Sequence, residues 1–150
     1  MLVIRAGLVA FVRRADSRAQ TLMGHAGGGA ESVAEQIAVQ VTTAGGHPIV
    51  RASGEIDLAS APVLRAAMDT VIGDGVRQII VDLQDVTFID STGLNLLIAV
   101  LKQLGPGSIS VVTARPQVCR VLAISGIDTL IPIFDSVATA VEAATKNPPE

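Results

Sequence analysis

From about residue 36 onward, apolar residues recur at strand and helix periods in turn. Short β-rich runs at Ile37 to Val41 and Ile49 to Ala52 flank Ala44-Gly45-Gly46-His47, which predicts two strands joined by a hairpin-like turn. Gly54-Glu55-Ile56-Asp57 closes the second strand. Ser60 is placed to cap a helix, and Pro62 falls in its first turn, where a missing N–H costs nothing. Val63, Leu64, Ala67, Met68, Val71 and Ile72 then form one helical stripe, stopped by Gly73 to Gly75. Gln78 to Leu83 is a near-continuous apolar run, as expected of a strand covered on both faces, and Val86 to Ile89 follows it. In the next helix Leu94, Leu97, Ile98, Leu101 and Leu104 share a stripe that should pack on the sheet. Asn95, Leu96, Ala99, Val100 and Gln103 lie off that stripe, so Leu96 and Val100 are expected to be partly exposed. Ser108 to Val112 reads as a strand. Pro116 to Ala123 reads as a helix ending at Ser125-Gly126, with the glycine as a left-handed cap. Leu130 to Ile133 and Ser136 to Ala144 supply a last strand and helix. Strand pairs joined by helices imply an α/β fold: a mixed, partly parallel sheet of four to five strands with about four helices packed against it.

Composition narrows the class. With 49% hydrophobic and 17% charged residues the chain is globular rather than disordered, and 150 residues suffice for one domain with a real core. The net charge of −3 hides a split. Residues 1–32 carry four Arg against Asp16 and Glu31, while the remainder carries seven basic and twelve acidic residues, which leaves it at −5. A domain so charged has no basic patch for phosphate backbones, and three Phe with no Trp or Tyr make no stacking platform. Nucleic acid is therefore not an expected partner. The single Cys119 permits no intrachain disulfide and fits a reducing compartment; it falls one position off the Val118, Val121, Leu122 stripe and reads as partly exposed and structural, with redox sensing as the minor alternative. No uninterrupted apolar run approaches 18 residues, so no membrane-spanning helix is expected.

Met1 to Val12 is apolar but broken by Arg5, and Arg13-Arg14 stand on the wrong side for a secretory signal. The stretch reads as a loose extension or a weak amphipathic anchor, with Met23 as an alternative start. Gly24 to Gly29 reads as a flexible linker, since no Gly-Lys-Ser/Thr completes a phosphate loop. The boundary falls near Ser32: residues 1–32 as a flexible extension, 33–146 as the domain and 147–150 as a tail.

The most informative residues are Asp90-Ser91-Thr92-Gly93-Leu94, where a buried strand hands over to an apolar helix. A hydroxyl at that point can cap the free N–H groups of the first turn, which is one reading of Ser91. The same position welcomes a phosphate, because exposed amides and the helix dipole favour negative charge. Ser91 is thus either a passive cap or a phosphorylation switch, with Thr92 as a second, weaker acceptor or a support for the cap.

Gly54-Glu55-Ile56-Asp57, Val81-Asp82-Leu83, Phe88-Ile89-Asp90-Ser91-Thr92-Gly93-Leu94 and Ser125-Gly126-Ile127 together resemble the anti-sigma factor antagonist family, the bacterial STAS domains. The resemblance spans roughly Gln36 to Ala144 and keeps the family's order and spacing. It implies a single STAS domain in a bacterial cytoplasmic protein that binds an anti-sigma factor and so frees a sigma factor for transcription. The anti-sigma factor in that family is often an ATP-dependent serine kinase; the serine it modifies corresponds to Ser91, and a phosphatase reverses the reaction. Asp57 and Asp90 match acidic positions flanking that serine. The partner-binding set expected on this basis is Asp57, Asp90, Ser91, Thr92, Gly93, Asn95, Leu96 and Val100. The N-terminal extension departs from the family's minimal domain.

No catalysis by the chain itself is expected. Ser91 stands in no Gly-x-Ser-x-Gly elbow, and His25 and His47 both lie upstream in turn or linker regions; a hydrolase would need His47 beside Ser91. No His/Cys/Asp cluster has metal-ligand spacing, and neither metal nor cofactor is expected. The alternative is a STAS subunit that is not phosphorylated, in a lipid-transport ATPase or a stress-sensing complex.

Overall fold

The computed structural model describes residues 37–148. The expectations for the extension, the linker, the alternative start and the boundary near Ser32 lie outside them. The chain forms β1 (Ile37–Ala44), β2 (His47–Ile56), α1 (Ala61–Gly73), β3 (Ile79–Ile89), α2 (Ser91–Leu104), β4 (Ile109–Val112), α3 (Pro116–Ser125), a 3-10 turn (Ile127–Thr129), β5 (Ile133–Phe134) and α4 (Val137–Lys146). The five strands lie side by side in sequence order. β1 and β2 are antiparallel, and β2 through β5 are parallel. This is the mixed α/β sheet expected of the sequence.

Local chemistry sets the elements. Gly45 and Gly46 both take positive φ, 58° and 84°, as a type I′ hairpin turn demands. Pro62 sits in the first turn of α1 as expected. Gly126 closes α3 in the left-handed conformation, φ 83°. The apolar run of β3 continues through Gln84 and Asp85 as one eleven-residue strand, where two separate runs were expected. Its pairing with β2 absorbs register shifts at Arg51/Ser53 and at Gly54/Glu55, and these blur the period of two that marks a strand. At the other extreme, Leu130 to Ile133 makes no strand of its own. Leu130 ends the 3-10 turn, and β5 keeps only two residues.

Strand order explains the layers. Each parallel step moves in the same direction, and right-handed crossovers then place α1, α2 and α3 on one face. Val39, Val50, Val81 and Val111 point from four strands into that face and meet Leu64, Met68, Leu97 and Leu122 of the helices. α4 follows the last strand and is not a crossover, so it can cover the opposite face, where Ala140 meets Ile49, Ile80 and Val112. Beyond α4 this second face turns polar. The buried carboxylate of Asp82 accepts from the Gln84 backbone N–H (3.0 Å), and Arg51 pairs with Asp85 and lies 4.0 Å from Asp82. The hydrogen bond to Asp85 raises the Arg51 pKa, so that cation is fixed at any working pH.

Candidate functional site

The parallel strands β2 and β3 end together, with Ile56 opposite Ile89, and each feeds a helix on the same face of the sheet. Their carboxyl ends are where an open parallel sheet leaves backbone groups unpaired, and the two loops there hold most of the sequence-predicted residues.

Asp57 organises the first loop. Its carboxylate accepts from the N–H groups of Ala59 and Ser60 (3.0 Å each), and its carbonyl accepts from Ala61 N–H (2.8 Å). Ser60 holds the N-cap position of α1 but does not cap the helix with its side chain. Its hydroxyl, 1% exposed, turns back instead: it donates to the Glu55 carbonyl (2.6 Å) and accepts from Asp57 N–H (2.9 Å).

Asp90 organises the second loop. Its N–H donates to the Ile56 carbonyl (3.1 Å), which ties the start of α2 to the end of β2 and brings the two loops together. Its backbone is extended (φ −110°, ψ −170°), and its carboxylate accepts from Thr92 N–H (2.8 Å) and Gly93 N–H (3.4 Å). Asp90, not Ser91, is therefore the cap. The reading of Ser91 as the cap is one residue out, because a carboxylate in extended backbone reaches both amides and a hydroxyl already inside the first turn cannot. Ser91 is exposed, and its hydroxyl makes no hydrogen bond among the described residues.

Gly93 is buried because α2 comes down hard on the strand ends. A β-carbon at this position would lie 2.7 Å from Ile56 Cγ2 and 2.7 Å from Ile89 Cγ1. Asn95, one turn on from Ser91, is exposed. Leu96 and Val100 were expected to be partly exposed, and they are buried, at 7% and 0%. α2 packs against α1 as well as the sheet, so its apolar face is wider than the stripe read from a single contact. Val100, with no exposed surface, cannot meet a partner directly. Leu96 keeps an edge in an open groove of about 320 Å³ between the two helix starts, lined also by Leu58, Ala61, Pro62, Arg65 and Thr92.

Sequence reading missed Leu58 and Arg65. Leu58 is 76% exposed, a large apolar side chain in the turn between Asp57 and Ser60. The available signal was a leucine in a segment whose other residues serve only to start a helix. Arg65 reaches Asp69 on its own helix (2.9 Å) and Gln103 on α2 (3.3 Å), so it spans the groove.

Other chemistry does not assemble here. His47 begins β2 at the opposite end of the sheet, bonded to Thr145 Oγ1 (3.1 Å), so no Ser-His pair forms at Ser91. Among the described residues, no group of three or more His, Cys, Asp or Glu is placed to hold a metal ion, and no helix is long and apolar enough to cross a membrane.

Comparison with known proteins agrees with this geometry. The STAS domain family model matches residues 38–140. The anti-sigma-F factor antagonist RsfB of Mycobacterium tuberculosis is 31% identical over 110 residues, covering 73% of this chain and 90% of its own length. An anti-sigma-B factor antagonist of Staphylococcus aureus is 30% identical over 95 residues, covering 62% of this chain and 88% of its own. The crystal structure of an anti-sigma factor antagonist from Mycobacterium paratuberculosis superimposes with a TM-score of 0.69 at 32% identity, over 73% of this chain and 94% of that one. With fold, motif and relatives in agreement, the chain belongs to the STAS domain family, and its relatives carry the name anti-sigma factor antagonist.

Proposed function

We propose that this chain is an anti-sigma factor antagonist. It binds an anti-sigma factor through the surface around the start of α2, releases the sigma factor held there, and is switched off by phosphorylation of Ser91. The observation that carries the reading is the division of labour between Asp90 and Ser91: the carboxylate caps the helix, which leaves the neighbouring hydroxyl exposed and unengaged. The names of the relatives favour this role over a lipid-transport or stress-sensing subunit.

The switch follows from local electrostatics. Of the four amides that a helix start leaves without an intrahelical partner, Asp90's own goes to the Ile56 carbonyl and its carboxylate holds those of Thr92 and Gly93. A phosphate on Ser91 finds the positive helix end but few free donors in its own chain, so most of its charge, about −1.5 to −2, projects outward. Transfer from ATP breaks the bond between the γ-phosphorus and the β–γ bridging oxygen and forms an Oγ–P bond on Ser91; ADP leaves with the bridging oxygen, and the Oγ proton goes to solvent or to a base of the kinase. The fold keeps its cap and survives. A partner surface that accepted a neutral hydroxyl beside two carboxylates meets a third anion, and a like-charge contact at an interface costs several kcal/mol, or roughly 100-fold in affinity. In this reading Leu58, Thr92 and Asn95 make direct contact, Leu96 floors the groove, and Asp57, Asp90 and Gly93 set its shape. A phosphatase returns the hydroxyl.

Affinity capture from the native cell lysate with wild type, Ser91→Ala and Ser91→Glu tests this. The expected result is an ATP-binding anti-sigma factor retained by the first two and lost by Ser91→Glu, with all three melting alike. Equal capture by all three would reduce Ser91 to an ordinary surface residue.

A further inference from the structure

β1 runs antiparallel to β2, so its first residue, Ile37, stands opposite Gly54 near the carboxyl end of β2. Residues 1–36 therefore join the domain at the pole that carries Asp57, Leu58 and Ser91. The groove between the starts of α1 and α2 opens at this same pole. Its volume is about 320 Å³, and Leu58, Ala61, Pro62 and Leu96 make most of its lining apolar. Leu58 and Pro62 are exposed there. The charge around the groove is one-sided. Glu55, Asp57 and Asp90 stand at the strand ends, while the one cation in the lining, Arg65, is held by Asp69 and Gln103. An apolar groove with an acidic rim fits an apolar segment that carries positive charge.

We propose that Met1–Val12 of the same chain docks in this groove. Within that run Ile4, Leu8 and Phe11 recur at the i, i+4, i+7 spacing that presents apolar anchors to a groove. Arg5 interrupts the run, and Arg13, Arg14 and Arg18 follow it, with Asp16 the one acid among residues 1–18. Residues 1–32 carry +2 against −5 for the remainder, so this occupant has the charge that the domain attracts and that a second copy would lack. Residues 13–36 tether the run to Ile37. A chain of that length reaches roughly 25 Å as a coil, about twice the radius of gyration of a domain this size. Because it enters at the pole of the groove, it has no need to cross the domain. Such a tether supplies an effective concentration on the order of 1 mM, so a contact of only about 0.1 mM for the free peptide is about nine-tenths closed in the chain. The contact stands on geometry and charge alone. Its meaning rests on the function proposed above, in which Leu58 and Leu96 belong to the partner surface: an anti-sigma factor then has to displace the segment, which lowers its apparent affinity about tenfold.

Amide NMR spectra of the full chain test the contact with no partner present, so the result is independent of the proposed function. Leu8→Ser combined with Phe11→Ser removes two anchors and no charge. The amide signals of Leu58, Thr92 and Leu96 are expected to shift between wild type and this double variant, by amounts independent of protein concentration. An unlabelled peptide of residues 1–18, added to the double variant, should move those signals back toward their wild-type positions with a dissociation constant of about 0.1 mM. Its affinity should fall severalfold as salt rises from roughly 50 to 500 mM. Adding Leu58→Asp to the double variant should weaken the peptide at least about tenfold; the position is 76% exposed, and a melt matching the parent would show that the fold is kept. Groove signals indifferent to the double substitution would overturn the proposal and leave the run to another surface, a membrane included. Shifts confined to β1 would also overturn it, since the segment would then lie along the sheet edge. So would shifts that grow with concentration, which belong to a second copy, or a peptide that binds equally well with Leu58→Asp in place.

Discussion

Two helices start side by side at the carboxyl ends of β2 and β3, and each start contains an aspartate and a serine. At α1 the serine is consumed by structure: Ser60 is buried, and its hydroxyl holds the Glu55 carbonyl and the Asp57 amide. At α2 the aspartate does the structural work alone, and Ser91 stands exposed one residue later. Residue type does not separate the two hydroxyls; their place relative to the carboxylate does. Where the aspartate precedes its serine by three residues, the loop folds the hydroxyl inward. Where it precedes by one, the first helical turn carries the hydroxyl outward.

The comparison breaks most severely at Gly93, because the outward display of Ser91 requires α2 to sit close on Ile56 and Ile89. Gly93→Val should overpack this contact and destabilise the domain by about 3 kcal/mol. The urea midpoint measures it; an unchanged midpoint would mean that the helix start is not held where we describe it. Next comes Ser60→Ala, which leaves a carbonyl and an amide without their partner and should cost about 2 kcal/mol, or roughly 6–9 °C in melting temperature for a domain this size. Asp90→Ala removes two cap bonds and should cost about 1 kcal/mol, whereas Asp90→Asn, which can still accept both, should stay close to wild type. Smallest is Ser91→Ala, within about 0.5 kcal/mol of wild type by the same midpoint. If Ser91→Ala destabilised the domain as much as Ser60→Ala, the contrast between the two serines would be lost.

What could be read from the sequence follows the range of the forces involved. The Gly45-Gly46 turn, Pro62 and the Gly126 cap act through their own dihedrals, and each stands where the residue pattern put it. The strand-to-helix handover at Asp90-Ser91 was equally plain, as was the placing of both acidic residues near it. Assigning the cap was not, because a cap and a first helical residue differ only in the backbone of one position. Burial of Leu96 and Val100 depends on α1, which is near in space but distant in sequence, and no periodicity within α2 announces it. Leu58 escaped notice for a related reason: a single apolar residue in a turn acquires meaning only beside the groove formed by two helices.

The far end of the sheet carries a practical consequence. Gly45, at the hairpin tip, lies against α4 so closely that a β-carbon there would meet Val141 Cγ1 at 2.6 Å, and His47 bonds Thr145 one turn later. The chain leaving α4 therefore emerges beside the hairpin, at the pole of the domain opposite Ser91. A dye, a biotin or a whole fused protein attached after Lys146 would point away from the serine. Surfaces prepared by tethering after Lys146 should present Ser91 to solution uniformly, and single-molecule or surface-based kinetics can be built on that orientation.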